Sequence, residues 1–217
     1  MASLMESSPI PDTNSERLSD WTRPAVIGVA GGIVAAIAMA IYAMTAAATY
    51  QDTGFFTPLY HIGSAFGTGS AADAMGTSME QAAGGDLYYF TAGPAALGVV
   101  IHVIAGAGWG ALFGLLVRAL RATRAWVVPG GVAYGLVVIL AMSYIVLPAV
   151  AAVFDSGPPI RDMPSMVGWG TFTVEHAIFG FVLGLATLPV AALIAAAEVR
   201  GERSTRDRVN PPRLPVS

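Results

Sequence analysis

The chain has no cysteine and no lysine, and only 12% of its 217 residues are charged. Without cysteine, neither a disulfide framework nor a thiolate centre can form. A soluble domain carries roughly 25% charged residues, so a chain this poor in charge is ill suited to water. Several enzyme signatures are missing as well. There is no phosphate-cradling glycine loop, nucleophile elbow or pair of catalytic carboxylates, which points away from those catalytic classes. A net charge of −3 gives no basic footprint for nucleic acid.

What is abundant is apolar sequence: 55% of residues are hydrophobic and the mean hydropathy is +0.64. Crossing a hydrocarbon core of about 30 Å takes roughly 20 apolar residues. Four stretches reach that length, from Pro24 to Ala48, Pro94 to Val117, Trp126 to Val153 and Trp169 to Ala197. They are rich in Ala, Gly, Val, Leu and Ile and do not alternate, so helices fit them better than barrel strands. The expected fold is all-α, a four-span transmembrane helix bundle embedded in the lipid bilayer.

Arginine placement sets the orientation. Ten of the 11 arginines lie before span one, in the 118–125 turn or after span four, and only Arg161 lies on the other side. By the positive-inside rule both termini are cytoplasmic, N-in and C-in. An Ala- and Gly-heavy, lysine-free composition points to a prokaryote, and hence to its cytoplasmic (inner) membrane. Met1 to Asp20 contain Pro9, Pro11 and several serines but no apolar h-region. A cleavable signal is therefore not expected, and span one serves as an uncleaved anchor. Residues 1–22 and 198–217 read as disordered cytoplasmic tails around a membrane domain at 23–197.

The external connection at 51–93 is not uniformly polar. Its apolar, aromatic start, from Gly54 to Ile62, is too short to span and reads as an interfacial helix opening near Pro58. A second short helix is expected around Ala71 to Ala83, and together they form an external lid. The aromatic run Leu87 to Phe90 then marks the interface.

Within the spans, histidine heads a glycine stripe twice. His102 is followed by Gly106, Gly110 and Gly114, with Gly98 one turn before it, and His176 by Gly180 and Gly184. Span one carries Gly28 and Gly32 in the same spacing. Such small-residue stripes are glycine zippers that let membrane helices approach closely. They can pack the bundle, a second copy of the chain or a partner in a larger assembly. Ala30 to Ala36 resembles Pro129 to Gly135, and with the paired histidine stripes this suggests two αα-hairpin repeats about an axis along the membrane normal. Pro148 and Pro189 are expected to kink spans three and four.

A titratable group in lipid is costly and marks a site. At 1.5 Å per residue, His102 and His176 lie roughly 10–15 Å below the outer interface. Glu175 adjoins His176 and is expected to face the interior, either protonated or paired, with His102 as the expected partner. His61 in the lid can approach the same point. Three readings remain open. The cluster fixes bundle register by hydrogen bonding. It binds haem between His102 and His176, or a divalent metal through His102, His176 and Glu175. Or it binds a small ligand or relays a proton.

The segments GFFTPLYHIGSAFG, LGVVIHVIAGAGWGALFGLL, GGVAYGLVVIL and VEHAIFGFVLG, in that order, resemble a YagU-like group of uncharacterised four-helix membrane proteins of bacteria and haloarchaea. The resemblance runs from about Ala25 to Leu193. It implies an inner-membrane bundle with histidines on its second and fourth helices, and it brings no activity.

Overall fold

The computed structural model describes residues 13–67 and 69–209; residues 1–12, 68 and 210–217, and the expectations that fall on them, lie outside it. Among the described residues the regular structure is entirely helical. Helix α1 (Thr13–Thr49) leads through α2 (Thr57–Gly63) and α3 (Gly69–Ala83) to α4 (Ala92–Ala119). Helices α5 (Arg124–Ala141) and α6 (Leu147–Phe154) follow, then the short α7 (Pro158–Arg161) and α8 (Met163–Val167). Helices α9 (Trp169–Ala186) and α10 (Leu188–Val209) complete the described residues. Four apolar helical stretches are long enough to cross a membrane: Trp21–Thr49, Ala92–Ala119, Arg124–Phe154 and Trp169–Arg203. Large side chains on their outer faces, Ile41, Ile104, Val137 and Ile145 among them, are more than half exposed. That costs free energy in water and none in lipid tails.

Helix extends further at both ends than composition suggested. Residues 13–22 continue α1, so Pro24 lies inside a helix rather than opening one. No proline or glycine interrupts Thr13 to Arg23. At the other end, residues 198–209 belong to α10, where Glu202 and Arg206 have the favourable i, i+4 order.

Two glycine seams hold the bundle. A Cβ on Gly32 would fall well inside contact distance of the Gly106 carbonyl, and one on Gly28 inside that of Gly110. Gly114 abuts Pro24 in the same way. Between α5 and α9, Gly131 meets the carbonyl of Gly180, and Gly184 the backbone of Val127 and Val128. Under the alignment of the two halves, Gly32–Gly106 and Gly131–Gly180 are corresponding contacts. Gly98 stands apart: its close neighbour is the Leu59 carbonyl, so it seats α2 of the lid against α4.

The two prolines act by different means. Ahead of Pro148 the helix widens into a π turn over Met142–Val146, with the Leu147 amide bonded to the Met142 carbonyl. A wider turn relieves the clash a proline ring makes with the carbonyl four residues back. Ahead of Pro189 the helix breaks at Thr187, whose hydroxyl donates to the Leu183 carbonyl at 2.8 Å.

The lid is built from the two connections at one end of the bundle, 50–91 and 155–168. Thr57 of α2 and Ser78 of α3 share a hydrogen bond of 2.8 Å. The Tyr60 hydroxyl donates to the Tyr89 carbonyl at 3.1 Å and accepts from the Thr91 amide at 2.8 Å. Burial pushes the Tyr60 phenol above its usual range. From the other connection, the buried residues Ile160, Met163 and Pro164 pack inward. Ser156 donates from its hydroxyl to the Ala65 carbonyl, tying the two halves of the lid together.

Candidate functional site

The seams position the histidines. Gly106 brings α1 so near α4 that its added Cβ would lie 2.5 Å from that of Ala36. One turn along, the Nε2 of His102 reaches the Ala36 carbonyl at 3.0 Å, an interhelical bond. His176 bonds within its own helix, from Nδ1 to the Phe172 carbonyl at 2.8 Å, and its ring packs on that of Phe172 at 4.5 Å. In the lid, the Nε2 of His61 lies 2.7 Å from the Pro159 carbonyl, joining α2 to α7. Burial lowers the His61 pKa from its usual value, and the bond to Pro159 acts in the opposite direction.

A carbonyl can only accept. Each of these ring nitrogens therefore carries a proton, and in the neutral ring the other nitrogen keeps its lone pair. The bonds thus fix His61 and His102 with Nδ1 unprotonated and His176 with Nε2 unprotonated.

Glu175 is 5% exposed and makes no hydrogen bond among the described residues. Its expected pairing with His102 does not form, because that histidine has turned to the backbone of α1 instead. Only one fully enclosed side-chain polar atom among the described residues lacks a partner, and it is the Ser143 hydroxyl. The Glu175 carboxyl and the free imidazole nitrogens are therefore not enclosed in packing. Their side chains border a cavity.

That cavity has a volume of about 540 Å³ and lies between the four spans and the lid. All three histidines of the chain and Glu175 line it. The rest of its wall is mainly apolar, with Trp109, Phe172 and Phe179 and six of the nine methionines. On the side away from the lid the core closes through Phe113, Val117, Val127, Leu183 and Val190. The volume falls within the roughly 300–1,000 Å³ typical of small-molecule sites.

The structure brings His61, His102, Glu175 and His176 to one cavity, but not to one point. Among the described residues, no three histidine or acidic side chains come together as a metal shell. A divalent ion through His102, His176 and Glu175 does not fit this geometry. Haem fits poorly too, because the wall holds no arginine to balance two propionates. Arg161, the one arginine of the lid connections, is exposed and paired with Asp162 at 2.7 Å.

Family models, curated proteins and solved structures offer no match to this chain.

Sequence reasoning missed two parts of the site. One is the convergence of methionines from spans and lid, and methionine spacing along the chain carries no signal of it. The other is the second lid connection, whose run Met163-Pro164-Ser165-Met166-Val167 is apolar enough to mark it. Ile160, Met163 and Met166 from that connection line the cavity.

Proposed function

We propose that this chain is a multi-pass, non-enzymatic protein of a prokaryotic cytoplasmic membrane that binds a small, largely apolar molecule in its lidded outer cavity. Both termini and the Arg118–Arg124 turn face the cytoplasm in this reading. The observation that carries it is the cavity of about 540 Å³, which collects every histidine of the chain and the unpartnered Glu175. A bundle that needed these groups only for register would pack them against one another. Instead the three histidines are anchored by backbone carbonyls, and Glu175 has no hydrogen bond or ion pair among the described residues. The solid core beneath favours binding over passage across the membrane. The YagU-like resemblance and an ancestral duplication of the two hairpins remain part of this proposal.

Photolabelling with a small apolar aryl diazirine, followed by peptide mapping, tests it. Labels are expected on Met39, Met142 and Phe179, and filling the cavity with Ala105→Phe should remove them. Labels confined to lipid-facing positions such as Val100 and Ile104, in both proteins, would overturn the reading.

A further inference from the structure

The chemistry of the wall also selects the ligand's charge. We infer that the cavity takes an amphiphilic organic cation, a protonated amine on an apolar body, with Glu175 as its counter-charge. This rests on the ligand-binding reading above and names the ligand class for that site.

Glu175 is the only side chain on the wall that can carry full negative charge, and no arginine or lysine lines it. It is more than nine-tenths buried and has no hydrogen-bond partner among the described residues. A carboxyl so enclosed either keeps its proton or, once ionised, must be compensated, and among the described residues no cation of the protein lines this wall to do it. The histidines point the same way. Their backbone bonds leave His61, His102 and His176 each with an acceptor nitrogen, so they complement N–H donors rather than an anion's oxygens. Two other polar groups of the wall already donate elsewhere: Thr57 to the Thr53 carbonyl, and Gln51 to the Val167 carbonyl at 2.6 Å.

The apolar wall suits the remainder of such a molecule. Trp109, Phe172 and Phe179 add aromatic rings to the wall, and ring faces attract cations as well as hydrocarbon. The six thioether side chains are flexible and polarisable, so they can repack around bodies of different shape. Outside, the external connections hold six acidic residues and one arginine, and that arginine is paired with Asp162. This field favours the approach of cations and disfavours anions.

The test uses one body with three headgroups: 2-(1-naphthyl)ethylamine, 2-(1-naphthyl)ethanol and 1-naphthylacetate. Equilibrium dialysis against the full chain in zwitterionic nanodiscs, with empty nanodiscs subtracted, gives each affinity. The amine is expected to bind about tenfold tighter than the alcohol, and the carboxylate not above background. Glu175→Gln should weaken the amine about tenfold while leaving the alcohol within about twofold. The wild-type ordering alone decides the matter if that variant does not fold. Equal binding of all three probes, or a carboxylate as tight as the amine, overturns the cation inference and leaves the cavity reading standing. Binding of none overturns this inference, and the photolabelling pattern then judges the cavity separately.

Discussion

His102 and Ala36 join α4 to α1 through one hydrogen bond, in which the Nε2–H donates to a backbone carbonyl at 3.0 Å. The bond exists because Gly106, one turn further on, has no side chain to hold α1 away. Register and site are therefore linked. The seam that packs the helices also decides which imidazole nitrogen of His102 keeps its lone pair.

Interhelical side-chain bonds in membranes average about 0.6 kcal/mol and reach about 1.7. His102→Ala should accordingly lower unfolding stability in bicelles by about 1 kcal/mol. A larger effect is expected from loosening the seam itself. Equal stabilities of His102→Ala and wild type would show that the bond contributes nothing to register.

Gly110 and Gly108 lie two residues apart on α4 but face different surroundings. A Cβ at Gly110 would sit 2.6 Å from the Gly32 Cα, whereas nothing lies within 4 Å of one at Gly108. Gly110→Ala should thus destabilise by about 1–3 kcal/mol through overpacking. Gly108→Ala should be neutral, or stabilising by up to about 1 kcal/mol, because alanine restricts the unfolded backbone. Thermal unfolding of both variants in one detergent separates them, and similar shifts would mean the seam is not where α1 and α4 touch.

The spans and seams were legible in the sequence because both depend on local regularities. Apolar length marks a span, and i, i+4 glycine spacing marks a face that helices can share. Pro58 at the start of α2 was legible for the same reason. The partners of His61, His102 and His176 were not. A side chain can bond any backbone carbonyl that comes within reach, and no residue type advertises that carbonyl. Glu175 shows the other side of this limit. Its position in a span was evident, but its lack of a partner depends on where His102 turned. The π turn before Pro148 was half visible: the proline required an adjustment, and packing chose its form.

The unpartnered hydroxyl of Ser143 in that π turn offers a third test. An enclosed polar atom without a hydrogen bond costs about 1–3 kcal/mol. Ser143→Ala removes the cost and keeps the shape, so it should raise thermal stability. A loss of stability would mean the hydroxyl is bonded in the membrane.

His61 makes lid closure sensitive to pH, and the direction follows from its lowered pKa. With the lid closed the ring prefers to be neutral; with the lid open it titrates near the usual 6.5. The open state therefore binds more protons in the window between the two values. Closed-lid stability is fully present above about pH 6.5 and is lost as pH falls toward the depressed value. Hydrogen exchange of the α2 amides should accelerate between pH 7 and pH 5 beyond the intrinsic pH effect. His61→Gln should flatten that excess, and a variant that retained it would assign the sensitivity to another group.

The absence of cysteine lets orientation be tested without a background signal. Asp86 in the external connection and Arg203 in α10 are both exposed, so each accepts a cysteine with little structural cost. If ten of the 11 arginines are cytoplasmic, moving them outward would oppose the positive-inside bias. Asp86→Cys should then react with a membrane-impermeant maleimide in intact cells, and Arg203→Cys only after permeabilisation. Labelling in the reverse order would place the lid and the cavity on the cytoplasmic side. The external acidic residues could then no longer draw a cation in from outside, although the pairing with Glu175 inside the cavity would be unaffected.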